Sequence, residues 1–495
     1  MDNGSKITGR KKVGFPFVVT SLFFLAILPL LTPLLNLLSV LPVQTIVILA
    51  CFVIAFLSFL AIYSWYNITG NLFDPYILFL SAAVLFNAGQ ALLEIFSLNA
   101  DGLLQGAFSL GTILKTLSVV AIALASFHFG AATYACKKLF FKRNRLDTRT
   151  KQWLTDADLR TTGLILIFLS AVPYSFLMKD LATAVMGSGY FGIFQRDAPT
   201  GVHAANQVLA TFLVPGALFL LAGSARRKTA VIVSSALIGG HSVLLILLGS
   251  RALGAMALLA FIWLWHRCIR LVPRTVLVSV IVALVIVFPL IHAVRGIPLE
   301  QRLSLTLLGE TLSLLENPHV LTVSELGGSM ATVAHTVELV PTTREYDMGL
   351  GYAYALLTAL PNLFWQIHPT VERGLMSDWL IWTVDPITAR LGGGLGFSFI
   401  AEAYLNFGWL GVTIFLAIVG SLVAKLILWG DDKGNRAKLA ATSCFLAFFP
   451  FYARSEAAHI IRPLLWYSVL PLVLGSFVHH FRRHVFRELR RRYTS

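Results

Sequence analysis

A set of arginines sits where a very apolar chain should least tolerate positive charge. Arg251 stands in Gly249-Ser250-Arg251 between two apolar runs, and Arg295 closes another in His292-Ala293-Val294-Arg295. Arg344, Arg373 and Arg390 fall in a long polar stretch, and Arg454, Glu456, His459 and Arg462 crowd one short connection near the end. Charged side chains at membrane depth are costly and tend to mark function. A guanidinium is a planar fork that matches phosphate, so several of them on one face make a site for a polyanion. Two groups are placed to move a proton: Glu402 among apolar neighbours, and His335 on a stretch with Met330, Val333 and Val337. Each has a plainer reading. Arg251 or Arg295 alone reads equally as a helix-end anchor reaching for headgroups. Arg373 and Arg302 read as solvated surface charges, Arg454 with Glu456 as a structural ion pair, His335 as a packing residue and Glu402 as a paired structural carboxylate. The group taken together favours a binding site.

The sharpest local pattern is Gly392-Gly393-Gly394-Leu395-Gly396-Phe397-Ser398-Phe399-Ile400-Ala401-Glu402-Ala403-Tyr404-Leu405-Asn406-Phe407-Gly408. A glycine-rich segment runs into a helix carrying a carboxylate, a phenol and an amide. Free amides near a helix start favour an anion. The chain has no GxGxxG or GxxxxGK[ST] phosphate loop. His335 and Glu338 alone do not make a metal site, and no cofactor is indicated. The four cysteines, Cys51, Cys136, Cys268 and Cys444, form no CxxC pair and predict no disulfide framework.

The elements that must carry these residues are transmembrane helices. Of 495 residues, 57% are hydrophobic and 13% charged, with a mean hydropathy of +0.77, whereas a soluble domain carries roughly 25% charged residues. Runs of about 20 apolar residues, the length that crosses a bilayer, recur at Phe15–Leu35, Val43–Trp65, Pro75–Phe96, Leu110–Ala135, Thr161–Leu177 and Gln207–Gly223. They continue at Thr229–Leu248, Ala252–Trp265, Thr275–Ile291, Trp409–Trp429, Leu439–Phe451 and Pro463–His479. The expectation is an all-α polytopic membrane protein of about 12 spans, within a range of about 10–13. Phe15–Leu35 is expected to be an anchored span rather than a cleavable leader.

The net charge of +15 marks topology rather than nucleic acid. Basic clusters at Lys6–Lys12, Lys137–Lys151, Arg226–Lys228, Arg267–Arg274, Lys433–Lys438 and Arg482–Arg492 each follow an even number of expected crossings. That is the positive-inside pattern, with both termini cytoplasmic and the arginines above on the opposite face. On that face two connections are long, at about 179–205 and 292–408. A structureless loop of the second length would be uncommon. Arg302–Glu316 and Tyr352–Leu360 are therefore expected as interfacial or re-entrant helices. Residues 1–495 read as one membrane domain.

Three stretches carry a family resemblance: Gly249-Ser250-Arg251; Gly327-Gly328-Ser329 with His335-Thr336 and Pro341; and Gly396-Phe397-Ser398 with Glu402-Ala403-Tyr404, Asn406-Phe407-Gly408 and Gly411. With the layout of spans, they resemble bacterial O-antigen polymerases (Wzy) and related oligosaccharide repeat-unit polymerases. The resemblance implies a metal-independent glycosyltransferase of the membrane-embedded GT-C type in the bacterial inner membrane. It would join undecaprenyl-diphosphate-linked oligosaccharides on the outer face, beside a lipid-oligosaccharide flippase and a chain-length regulator. Arg251, Arg295, Glu402 and His335 become its catalytic candidates. Arg344, Arg454, Arg462, Tyr404, Asn406 and Ser398 become its substrate-binding candidates, and Tyr352, Tyr354, Trp365 and Trp379 either line a sugar groove or form an interfacial belt. An O-antigen ligase-like transferase shares the fold class. A transporter of an anionic or lipid-linked substrate is the rival class, although carriers usually show two matching halves and none is visible.

Overall fold

The computed structural model describes residues 42–143, 152–193, 201–225, 227–280, 282, 317–362, 365–432 and 434–494. Among them the chain is helical, with no strand. The expected span Phe15–Leu35, most of Thr275–Ile291, Arg295 and the expected helix Arg302–Glu316 lie outside the described residues.

Among the described residues, eight helices are long and apolar enough to cross a membrane. They are α1 (Val43–Thr69), α2 (Pro75–Glu94), α3 (Leu110–Arg143) and α4 (Asp156–Ser188), then the pair α5 (Gly201–Ala210) and α6 (Leu213–Ala222) acting as one span, and α7 (Lys228–Leu247). The last two are composite, and other helices of the chain come between them and α7. Two expected spans differ. Ala252–Trp265 lies within α8 (Arg251–Cys268), which has only 18 residues and ends on His266 and Arg267. Leu439–Phe451 breaks up: α-helix stops at Leu446, and a 3₁₀ turn over Phe449–Arg454, with Pro450 at its start, redirects the chain.

Helix starts follow local chemistry. Asp74 caps α2 by accepting from the Tyr76 amide at 2.9 Å, with Pro75 in the first turn. Thr155 and Asp158 form a reciprocal capping box at α4. At 33 residues, α4 rises about 50 Å, well past the expected Thr161–Leu177.

The expected long connection does hold helices: α9 (Pro318–Leu326), α10 (Ser329–Leu339), α11 (Leu350–Leu357), α12 (Pro369–Arg373), α13 (Met376–Val384) and α14 (Pro386–Arg390). They do not all lie on the surface. α10 is buried against α2 and α3, so this segment re-enters the bundle. The composite spans follow. The first joins α15 (Phe399–Leu410) through a π turn at Gly411–Phe415 to α16 (Leu416–Gly430), and after α17 (Arg436–Leu446) the second joins α18 (Ala458–Pro463) through another π turn to α19 (Leu470–Thr494).

Between lipid-facing helices hydrophobicity gives little driving force, and close backbone approach through small residues does the packing. α3 and α16 show it best. A Cβ on Gly130 would sit 1.8 Å from the Ala417 carbonyl oxygen, and one on Gly420 would sit 2.0 Å from that of Phe127. Ser421 donates to the Gly130 carbonyl at 2.8 Å across the same seam. Gly130→Ala and Gly420→Ala should each cost about 1–3 kcal/mol by overpacking and lower the thermal midpoint by several degrees. Gly239→Ala on α7, where a Cβ meets nothing within 4 Å, should leave it unchanged. Equal midpoints for all three would contradict this seam.

Candidate functional site

The buried carboxylate of Glu402, one turn into α15, anchors the polar architecture. Ser398 caps that helix, its hydroxyl accepting from the Ile400 amide at 3.1 Å and donating to Asn87 Oδ1 on α2. Asn87 in turn donates to the Ala453 carbonyl at 2.8 Å. Both Glu402 oxygens accept from the Ala457 amide, at 3.0 and 2.9 Å. The neighbouring residue reaches the other way: Glu456 accepts from the Met376 amide at 3.0 Å, the Ser377 amide at 3.2 Å and the Ser377 hydroxyl at 2.9 Å. Segment 453–457 is thereby pinned to α2, α15 and the start of α13.

Above it opens a cleft of about 390 Å³, counting its mouth, whose walls include Arg344, Arg373, Trp379, Tyr354, Gly351 and Glu456. Two guanidiniums share one acid there. Arg344 donates to Asp347 Oδ1 at 2.8 Å and Arg373 to Oδ2 at 2.5 Å. Each also lies over a ring, Arg344 at 4.5 Å from Trp379 and Arg373 at 4.6 Å from Tyr354, and such cation–π contacts restrict where a guanidinium goes. Two buried polar atoms at this cleft have no partner among the described residues: Arg373 Nη1 in its wall and, behind Gly351, Asn406 Oδ1. A native fold seldom leaves such atoms unpaired, and each one calls for an explanation. Gly351 forms the floor; a Cβ there would lie 3.0–3.1 Å from the Asn406 amide.

The structure brings together only part of what the sequence singles out. Arg344 lines the cleft, and Glu402 and Asn406 lie beneath it. Arg373, expected as a solvated charge, is instead an inward partner of Asp347. Glu456 is no ion-pair mate of Arg454; it is tied to α13. Tyr354 and Trp379 line the cleft, whereas Tyr352 packs on Phe415 with centroids 4.5 Å apart and Trp365 packs on His368.

The other candidates stand elsewhere. Tyr404 is buried, edge-on to Tyr346, with the Lys115 ammonium 5.5 Å from its ring. Arg454 lies 5.4 Å from the Phe86 ring and against Gly396, whose φ of +73° accommodates it. Arg462 closes α18, one turn beyond the cleft residue Ala458. His335 packs edge-on against Phe108 at 4.6 Å and is not in the cleft. Burial, opposed by Glu338, holds its imidazole below the usual 6.5. In the glycine-rich run ahead of α15 several amides are already engaged. Gly392 and Gly393 amides bond back to Ala389 and Thr388, the Phe397 amide bonds to the Arg454 carbonyl, and Ser398 caps the helix.

Arg251, almost fully buried at the head of α8, forms an ion pair with Glu325 on α9. Two signals pointed to the cleft: the i,i+3 spacing of Arg344 and Asp347, and aromatic residues interleaved with arginines. Among the described residues no three His, Cys, Asp or Glu side chains come together as a metal site.

Arg251→Ala would take away the guanidinium that faces half-buried Glu325, costing about 2 kcal/mol, less than a fully buried pair because the Glu325 side chain keeps 24% exposure. In a double-mutant cycle with Glu325→Ala, unfolding of the purified protein should show a coupling of about 1 kcal/mol or more. Additive single effects would contradict a structural pair.

The family model for O-antigen polysaccharide polymerase Wzy matches residues 17–480. No curated protein matches the chain, and no solved structure does.

Proposed function

The chain belongs to the O-antigen polysaccharide polymerase Wzy family, and from that premise we propose that the Arg344–Arg373 cleft is where it joins lipid-linked repeat units. The membrane setting and the polymerase class follow from the family and the apolar helices. The finer reading is that the substrates are undecaprenyl-diphosphate-linked oligosaccharides, met on the outer face of the cytoplasmic membrane, with a lipid-oligosaccharide flippase supplying them and a chain-length regulator beside the enzyme. The basic clusters support that orientation, since they place the arginine-bearing connections opposite the cytoplasm.

The carrying observation is the pair of guanidiniums held side by side on Asp347. In the transfer, the bond between the anomeric carbon and the diphosphate oxygen breaks as the acceptor hydroxyl oxygen bonds to that carbon. The lipid diphosphate leaves with the electron pair. Fixed positive charge where this negative charge develops lowers the barrier without a metal. Arg344 and Arg373 supply it, releasing Asp347 in favour of phosphate oxygens. Glu456, the carboxylate in the cleft wall, takes the acceptor proton. Trp379 and Tyr354 offer rings against which a sugar can stack. Glu402 is a positioning residue that holds Ala457, and through it Glu456.

The test is a polysaccharide ladder from cells carrying variants at matched protein levels. Arg344→Lys and Arg373→Lys trade a bidentate fork for a point charge and should slow transfer about a hundredfold, leaving single repeat units on the lipid. Glu456→Gln should lose about as much. Glu402→Gln should lose far less, because its remaining carbonyl oxygen still accepts from Ala457. Full-length ladders from both lysine variants would remove the cleft from the reaction. Transfer by purified protein should also survive excess chelator. Loss of activity restored by a divalent cation would overturn the charge-only mechanism.

A further inference from the structure

At the opposite end of the bundle a larger cleft, of about 880 Å³, opens between the heads of α4 and α7 and the basic α19. Arg160, Arg227 and Arg482 line it, with Leu164 and Val233 forming the wall beside them. The sequence assigns this end to the cytoplasm through the clusters around Arg227 and Arg482. The three arginines are unequally engaged. Arg160 donates to the Gly223 carbonyl at 2.8 Å, which leaves its charge uncompensated. Arg482 donates to Asp158 at 2.9 Å, but Asp158 is shared with His479. Arg227 is exposed and has no side-chain partner among the described residues. Among the described residues Asp158 is thus the single acid bonded to these arginines, so positive charge is in excess. The amino-terminal turns of α4 and α7 add their partial positive charge. Leu164 and Val233 are 55% and 47% exposed, forming an apolar strip that runs from the arginines along the lipid-facing side.

A phosphate beside an apolar strip is the layout of a phospholipid at an interface. We propose that this cleft binds an anionic phospholipid of the cytoplasmic leaflet, its headgroup phosphate held by Arg160 and Arg227 and one acyl chain lying along Leu164 and Val233. Basic pockets between helices on the cytoplasmic side recognise such headgroups, and each arginine near the surface contributes enough to change binding about fivefold. A zwitterionic lipid carries its own cation into the same positive field and is disfavoured. Free phosphate lacks the chain that the strip would cover. The site is separate from the polymerisation cleft and does not depend on its assignment.

The test is native mass spectrometry of the full-length protein in detergent, titrated with phosphatidylglycerol, with phosphatidylcholine and with inorganic phosphate alone. The expected result is one tightly retained phosphatidylglycerol, little phosphatidylcholine and no retained phosphate. Arg160→Gln and Arg227→Gln should each weaken retention about fivefold. Arg483→Gln, which removes a tail charge outside the cleft, should not. Melting curves of the lipid-free variants verify that each is folded. Equal retention of the two lipids, retention unchanged in both cleft variants, equal loss in Arg483→Gln, or binding of inorganic phosphate alone would overturn the proposal.

Discussion

A carboxylate buried in an apolar span is the constraint on which the functional end of this molecule depends. The oxygens of Glu402 cannot be left unsatisfied away from water, since burying a polar group without a hydrogen bond is costly. Both oxygens are met by one shared donor, the Ala457 amide, and a hydrogen bond of this kind contributes about 1 kcal/mol net. Because Ala457 is fixed, Glu456 is fixed, and Glu456 in turn sets the start of α13 and with it Trp379. The wall of the cleft is therefore built from a residue that never touches its interior.

The two arginine systems differ in a way that separates structure from chemistry. Arg251 meets Glu325 across helices, tying α9 to the head of α8. Arg344 and Arg373 share the one acid bonded to them, Asp347, and the rings of Trp379 and Tyr354 limit where the guanidiniums can move. Arginines that outnumber the acids bonded to them recur, beside apolar surface, at the far end of α4.

Much of the fold was legible because apolar length and charge placement are global signals. The runs at Val43, Pro75 and Leu110 became helices that start at those residues and end at Thr69, Glu94 and Arg143. Leu439–Phe451 misled because Pro450 and the aromatic run around it fold as a tight turn once Tyr452 and Phe449 find ring partners. At the site, residue types were legible but pairings were not. Arg373 reads as a surface charge until Asp347, 26 positions away, is placed beside it. Glu456 and Arg454 are near in sequence, yet the 3₁₀ turn sends their side chains to different elements. Ser398 belonged to a visible motif, but only the structure shows that its hydroxyl is spent on a cap and on Asn87.

The central claim is that the diphosphate of a lipid-linked repeat unit sits between Arg344 and Arg373. The most direct measurement is photocrosslinking of the purified protein with a lipid-diphosphate oligosaccharide carrying a diazirine on the first sugar, followed by peptide mapping. The account predicts label on segments 344–358, 370–379 and 454–458, competed away by unlabelled lipid-linked repeat unit. Label confined to the helices around Arg251 and Glu325, with the cleft segments unmodified, would contradict it.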